Sequence, residues 1–139
     1  MNSVANVVQR SVEALNKHDA AAFAAVYAPD AVVYDPYYPE PLKGRDAIQK
    51  DISDFFRAFP DIHNALRSTL ADGQIVAAEF TVSGTHQGPL TLPTGEIPAT
   101  GRSLRFDGGV FARVNSQGEI VEEHRYFDLA GQLEQLGLT

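Results

Sequence analysis

The chain has 139 residues, of which 44% are hydrophobic and 21% are charged, and this balance is typical of one globular domain spanning residues 1–139. Its 11 basic and 18 acidic residues give a formal net charge of −7, which would repel a phosphate backbone and excludes nucleic acid as the expected partner. There is no cysteine, so disulfides and thiolate chemistry are excluded.

The sequence contains no recognisable targeting or membrane-spanning segment. The first 13 residues mix polar and apolar side chains, unlike the apolar core of a signal peptide. No apolar run approaches the ~20 residues needed to cross a bilayer. Together with the absence of cysteine, which suits a reducing compartment, these features predict a cytoplasmic protein with no membrane partner.

Three helices are predicted in the first half of the chain. The first covers residues 4–15, where apolar residues recur at i, i+3 and i+4. The second is short, follows Asp19 as its cap, carries Tyr27 on its apolar side and ends at Ala28-Pro29. The third covers residues 45–59 and stops before Pro60.

Strands dominate the remainder. One is predicted at residues 31–35, and an antiparallel meander follows at residues 62–70, 74–85, 102–114 and 119–127. The Gly-, Pro- and Thr-rich residues 88–101 predict a long mobile loop. With a short C-terminal helix, the expected fold is α+β: a cone-shaped barrel of three N-terminal helices packed in a curved antiparallel sheet, with a mouth suited to an apolar ligand.

Several short segments carry a resemblance to a known family: Val33-Tyr34-Asp35-Pro36 with Gly44-Arg45, Gly84-Thr85-His86-Gln87-Gly88, Pro98-Ala99-Thr100-Gly101-Arg102, and the closing strand with its terminal helix. Over residues 4–138 the chain resembles the SnoaL-like polyketide cyclases, within the wider nuclear transport factor 2 and ketosteroid isomerase superfamily. The resemblance implies the cone fold, a small apolar carbonyl-bearing metabolite as ligand, no cofactor, and a homodimer formed through the outer face of the sheet.

Asp35 is the first candidate catalytic residue. In the similar ketosteroid isomerases the Asp before Pro at this position is the general base, and burial raises the pKa of such a carboxyl from ~3.9 toward the working range. The alternative is that Asp35 ends its strand and bonds backbone amides near Pro36. The oxyanion-binding positions of those isomerases correspond to Ser11 and Val110, and the base of the cyclases corresponds to Arg125, so neither parent chemistry carries over intact.

Arg125 is the second candidate catalytic residue. Alternation along the closing strand places Glu123 and Arg125 on one face with Val121 and Phe127. A buried arginine without a partner is costly, so a carboxylate such as Glu123, Glu79 or Asp35 should pair with it. Either this pair is only a structural salt bridge, or Arg125 holds a substrate carbonyl or carboxylate.

The predicted substrate-binding residues surround this pair. Tyr37 and Tyr38 lie in the Pro-rich loop, and His86 is expected at the pocket rim, with a surface loop as its alternative. Although most aromatic side chains are expected in the core, three further substrate-binding residues are predicted on the strands and on helix three. They are Val110, Glu123 and Phe56. No His or carboxylate spacing suggests ligands for an ion, so no metal is predicted.

Two function classes remain open from the sequence. One is a cofactor-free acid/base enzyme of the cyclase or isomerase type. The other is a non-catalytic protein that binds an apolar small molecule in the same fold. A third option is an epoxide hydrolase of the limonene type, which needs an Asp-Arg-Asp set; Asp35 and Arg125 supply two members, and the sequence names no third.

Overall fold

The structure is a computed structural model that describes residues 4–138. After a 3-10 turn at Val4–Asn6, its helices are α1 (Val7–Asn16), α2 (Ala20–Ala24), α3 (Arg45–Ala58) and α4 (Leu129–Gln135). Its strands are β1 (Tyr27–Tyr34), β2 (Leu42–Lys43), β3 (His63–Asp72), β4 (Ile75–Thr85), β5 (Leu90–Leu92), β6 (Gly95–Ile97), β7 (Ser103–Val114) and β8 (Ile120–Phe127). The predicted α+β class is confirmed.

The second helix is shorter than predicted. Asp19 caps it, accepting a hydrogen bond from the backbone N–H of Ala22, but the helix ends at Ala24. Tyr27 was predicted on this helix and instead opens β1, where it pairs with Ile120 of β8. Pairing with a strand that lies far away in the sequence overrode the local helical pattern.

The main sheet is mixed rather than wholly antiparallel as predicted. Its six strands run in the order β2-β1-β8-β7-β4-β3. The predicted antiparallel meander is formed by β3, β4, β7 and β8, whereas β1 pairs with β8 in parallel. β1 and β8 are the first and last strands in the sequence, and local sequence patterns do not specify a contact between such distant segments.

The predicted mobile loop at residues 88–101 is wrong in part, because it contains the β5-β6 hairpin. Leu90 of this hairpin is only 2% exposed. The hairpin is held to the end of α3, where Ala58 accepts hydrogen bonds from the backbone N–H groups of Gln87 and Gly88. A Cβ at Gly88 would lie 2.0 Å from the carbonyl oxygen of Arg57, so only glycine permits this close approach.

The core lies between the three N-terminal helices and the concave face of the sheet. Val7, Ile48, Val76 and Ile120 are fully buried there. Near the C-terminus, Gln132 of α4 and Leu136, directly after it, are also fully buried, so this helix covers part of the barrel. Among residues 4–138, no helix has the length and hydropathy required to cross a membrane.

Candidate active site

Arg125 is the centre of a buried polar cluster at one end of the core. Its Nη1 donates to Asp35 Oδ2 and to Asp51 Oδ2, both at 2.9 Å, and its Nε donates to Glu123 Oε2 at 2.8 Å. The arginine side chain is 13% exposed, and the three carboxylate side chains are 4%, 2% and 5% exposed, in the same order. Arg125 therefore has three carboxylate partners, whereas the sequence predicted one.

The parallel pairing of β1 and β8 brings Asp35 to Arg125. Tyr34, the last residue of β1, pairs with His124, so Asp35, which follows β1, falls beside Arg125 of β8. Asp35 Oδ1 accepts from the backbone N–H of Tyr37 at 2.8 Å, while its Oδ2 accepts from Arg125. Asp35 thus bonds a backbone amide after the end of its strand, as the structural alternative expected, and it also belongs to the cluster; its role as a general base stays a prediction.

Asp51 is a member of the cluster that sequence reasoning missed. It lies on α3 between Ile48 and Phe55 on the apolar face of the helix, and it is 3% exposed. A lone carboxylate on an apolar helical stripe was the signal that could have identified it. Its Oδ1 accepts from the Tyr38 hydroxyl at 2.5 Å.

Asp51 differs electrostatically from an exposed aspartate. Burial raises its pKa above the ordinary value of a carboxyl; the Arg125 charge opposes this shift, and the neighbouring Asp35 charge adds to it. Three ionised carboxylates against one guanidinium would leave two uncompensated negative charges in a nearly dry site. The raised pKa of Asp51 means that this environment favours the neutral acid form of its carboxyl over the form found in solvent.

Glu123 is held by a second donor in addition to Arg125. The Tyr27 hydroxyl donates to Glu123 Oε2 at 2.8 Å, which is the same oxygen that accepts from Arg125 Nε. Burial raises the pKa of Tyr27 well above its usual range, and the Glu123 charge raises it further. Tyr27 therefore remains a protonated donor that fixes the Glu123 carboxylate.

One edge of the Arg125 guanidinium remains available. Its Nη1 and Nε donate to the carboxylates, whereas Nη2 has only Tyr27 Oη, at 3.4 Å, as a partner within residues 4–138. A guanidinium has five N–H donors in a planar fork, two of them on Nη2. Nη2 is thus the donor with capacity for a ligand oxygen.

An apolar cavity of about 110 Å³ adjoins the cluster. Asp35, Asp51, Glu123 and Arg125 form one polar part of its wall. Most of the remaining wall is aliphatic or aromatic and comes from α1, α3 and the concave face of the sheet: Val8, Val12, Leu15, Phe55, Phe80, Val82, Phe106 and Phe127. The volume is below the ~300–1,000 Å³ of drug-sized ligand sites, so the structure has room for a small ligand or part of a larger one.

The predicted substrate-binding residues fall in different places. Tyr37 and Val110 line the cavity together with Glu123. Tyr38 lies on the other side of Asp51, beside a separate surface pocket. The Tyr37 hydroxyl donates to Gln132 of α4, which holds the loop under the terminal helix.

Phe56 and His86 are not among the residues that line this cavity. Phe56 stacks on His18 with ring centroids 4.8 Å apart, and the neighbouring Phe55 faces the cavity instead. His86 is fully buried, not on a surface loop; its Nδ1 accepts from the backbone N–H of Thr100 at 3.2 Å. Burial lowers the pKa of His86, so it is a neutral core side chain.

The carboxylates of the cluster converge on Arg125, not on a vacant centre. In the part of the chain that the structure describes, no group of three or more His, Asp and Glu side chains has an arrangement that could hold a metal ion. Carboxyl groups and a guanidinium can transfer protons and donate hydrogen bonds to a ligand oxygen.

The family of the chain follows from sequence comparison. A sequence profile described as SnoaL-like polyketide cyclase matches residues 5–136. The chain belongs to this family. The resemblance stated from the sequence is thereby confirmed, and the site described above is that of a SnoaL-like protein.

Solved structures support the same assignment. IdmH from Streptomyces antibioticus, a proposed polyketide cyclase, is 26% identical with a TM-score of 0.77, covering 98% of this chain and 99% of that one. A proposed polyketide cyclase from Xanthomonas campestris pv. campestris is also 26% identical, with a TM-score of 0.76 and 96% of each chain covered. AclR from Streptomyces galilaeus, a proposed hydroxylase, is 24% identical with a TM-score of 0.81 over 98% of this chain and 82% of that one, and this likeness shows the fold alone.

Proposed function

We propose that this SnoaL-like protein is a cofactor-free acid/base enzyme acting on a small apolar molecule that carries a carbonyl group. The observation that carries the proposal is the Arg125 cluster. A buried guanidinium is fixed by three carboxylates, has donor capacity on Nη2, and adjoins an apolar cavity. Such a site combines an electrophile, a base and a dry environment.

The proposed chemistry begins with the ligand carbonyl oxygen accepting a hydrogen bond from Arg125 Nη2. A carboxylate removes a proton from the carbon next to the carbonyl, and the electron pair of the broken C–H bond moves to the oxygen. Arg125 stabilises the resulting enolate. The protonated carboxyl then returns its proton to another carbon in an isomerisation, or to the alkoxide formed when the enolate carbon attacks a second carbonyl in a cyclisation.

Asp35 and Asp51 divide this work in the proposal. Both line the cavity and both accept from Arg125 Nη1. Asp51 is the base in the proposal: its ionised form takes the proton from the ligand carbon, and the neutral acid, which burial favours by raising the pKa of Asp51, returns it. Asp35, whose two oxygens accept from a backbone amide and from Arg125, orients the guanidinium and supports the charge.

Hydrogen–deuterium exchange tests the proposal without knowledge of the natural substrate. Small cyclic and open-chain ketones are incubated with the protein in D2O, and loss of the protons next to the carbonyl is followed by NMR. The wild type should accelerate exchange, and Asp51→Asn should remove at least about 10²-fold of that acceleration. Asp54→Asn is the matched control, because Asp54 lies one turn further along α3 and pairs with the exposed Lys50.

The same experiment distinguishes the non-catalytic alternative. If ketones shift the resonances of cavity residues but exchange no faster than with Asp51→Asn or without protein, the protein is a binding member of the family. Acid/base chemistry is then rejected for this site, while the cavity keeps its role as a ligand pocket.

Epoxide hydrolysis is a second candidate, favoured by a specific observation. Arg125 Nη1 bridges Asp35 and Asp51, so the structure supplies the third member of the Asp-Arg-Asp set. Ionised Asp35 would take a proton from a water molecule attacking an epoxide carbon, and protonated Asp51 would donate to the departing oxygen, giving a diol. Cyclohexene oxide in H2(18)O tests this candidate: one labelled oxygen in the diol supports it, and an unchanged epoxide rejects it.

We also propose that the protein forms a homodimer through the outer face of the main sheet. Phe111 and Tyr126 are 51% and 60% exposed on this face, and the Tyr34 ring stacks on His124 with centroids 4.5 Å apart. Exposed aromatic side chains grouped on one sheet face are typical of a protein interface.

A further inference from the structure

Asn64 presents a buried polar side chain to the cavity without using it in the fold. It lies on β3, is 5% exposed and lines the cavity. Its Oδ1 is buried and has no hydrogen-bond partner among residues 4–138. A buried amide oxygen without a partner costs about 1–3 kcal/mol, and a ligand group that donates a hydrogen bond to Asn64 Oδ1 would recover this cost.

The backbone of Asn64 is fixed although its side chain is not. Asn16 of α1 donates from Nδ2 to the Asn64 carbonyl oxygen at 2.9 Å, and Asn16 Oδ1 accepts from the Asn64 N–H at 2.8 Å. These two bonds hold the strand against α1 and fix the place of Asn64 in the cavity wall. The amide is therefore pre-positioned, which lowers the entropic cost of binding a ligand group.

Ser11 provides a second polar atom in the same wall. Its hydroxyl donates to the Val8 carbonyl oxygen at 2.7 Å, so its proton is used and its oxygen remains an acceptor. The Asn64 amide has an acceptor oxygen and two N–H donors. A hydroxyl group can both donate to and accept from such a pair, whereas a methyl group leaves the amide unpaired.

Asn64 is separated from the Arg125 cluster across the sheet. Its strand, β3, lies three positions from β8 in the strand order, which corresponds to about 14 Å along the sheet. It is also displaced along the strands: Asn64 pairs with Val82, which pairs with Phe106, whereas Arg125 pairs with Val110. The cavity wall thus carries two polar positions with apolar surface between them.

We infer that Asn64 with Ser11 forms a second polar subsite, which binds a hydroxyl group on the apolar body of the ligand, remote from the oxygen that Arg125 holds. The statement that Arg125 holds a ligand oxygen rests on the proposed function. The expected ligand is accordingly a carbonyl compound that also carries a hydroxyl group on its apolar body.

Phenol and toluene test the subsite, because they have nearly the same size and differ by a hydroxyl against a methyl. Their dissociation constants are measured by NMR titration with the wild type, with Asn64→Leu and with Leu15→Met as a lining control. The ratio of the toluene to the phenol constant should fall about tenfold in Asn64→Leu. It should change by less than about twofold in Leu15→Met, which keeps the amide and the side-chain volume.

A second measurement on the wild type does not depend on the folding of a variant. Phenol should shift the side-chain NH2 resonances of Asn64, and toluene should leave them in place. An unchanged ratio in Asn64→Leu, Asn64 resonances insensitive to phenol, or no binding of phenol would each overturn the inference. Neither probe has a carbonyl group and neither variant alters the Arg125 cluster, so failure here is separate from failure of the ketone exchange experiment.

Discussion

Arg125 and Asp51 are joined by a hydrogen-bonded ion pair of 2.9 Å between a strand and a helix that are 74 residues apart in the chain. Both side chains are largely removed from solvent, at 13% and 2% exposure. Removing two charges from water is costly, and the pair is retained beside two further carboxylates. The Arg125–Asp51 pair therefore differs from a surface salt bridge in its burial beside other charged groups, and not in a larger contribution to stability.

Replacing Arg125 should be the most damaging change in the cluster. Arg125→Gln leaves three buried carboxylates without a cation, and we expect it to lower the free energy of unfolding at pH 7 by about 3–5 kcal/mol. The loss should shrink toward pH 4, because protonation removes the uncompensated charge. Urea denaturation at both pH values checks this, with the exposed Arg105→Gln as control. An equal loss at the two pH values would contradict it.

Asp51→Asn should have the opposite effect on stability. Burial raises the pKa of Asp51, so the folded state binds its proton more tightly than the unfolded chain, where the pKa is ~3.9. Unfolding free energy therefore decreases as pH rises from about 4 through the folded-state pKa. Asp51→Asn removes this decrease and should stabilise the protein at pH 7 on the order of 1 kcal/mol, with no gain at pH 4.

The control for this change is Asp54→Asn, on the next turn of α3. Asp54 pairs with Lys50 near the surface, and its loss should alter stability by less than about 0.5 kcal/mol. A destabilised Asp51→Asn at neutral pH would show that the Asp51 ion pair stabilises the fold, and would contradict a raised pKa for this carboxyl.

The Tyr38 hydroxyl should tune the Asp51 carboxyl. Its hydrogen bond to Asp51 Oδ1 favours the ionised form and lowers the pKa of Asp51, against the larger effect of burial. Tyr38→Phe should consequently raise the Asp51 titration midpoint, whereas Tyr34→Phe, on the outer face of the sheet, should not move it. The carboxyl-carbon chemical shift of Asp51 measures both, and equal midpoints in the two variants would show that the hydrogen bond has no such effect.

The proposed dimer is tested on the outer face of the sheet. Tyr126→Glu places a charge in the exposed aromatic group and should convert a dimer to a monomer in sedimentation velocity. Ala21→Glu is the control, because Ala21 is exposed on α2, and the helices lie on the concave side of the sheet, away from this face. A monomeric wild type, or a Tyr126→Glu variant that remains dimeric, would reject this interface.

Part of the site could be predicted because local patterns encode it. The alternation of β8 places Glu123, Arg125 and Phe127 on the cavity face, as expected from the sequence. The need for a carboxylate beside a buried arginine indicated Glu123, Glu79 or Asp35; Glu123 and Asp35 are contacts of Arg125, whereas Glu79 accepts a hydrogen bond from Ser68 at the surface. The first inference uses spacing within one strand, and the second uses a simple electrostatic rule.

The remainder depends on contacts between distant segments. The parallel pairing of β1 with β8 brings Asp35 to Arg125, and the side of α3 that faces β8 brings Asp51 there. Neither arrangement follows from local periodicity. The hairpin within residues 88–101 was likewise missed because its Gly- and Pro-rich sequence is typical of a loop, while docking against Ala58 orders it.

The most direct test of the account is the titration of Asp51 by carboxyl-carbon NMR in the wild-type protein, with Asp51→Asn used to assign the resonance. The account predicts a midpoint above the ordinary ~4 of an aspartate, because burial favours the neutral acid. A midpoint at or below ~4 would mean that Arg125 holds Asp51 fully ionised, and would contradict its role as the proton-carrying group of the site.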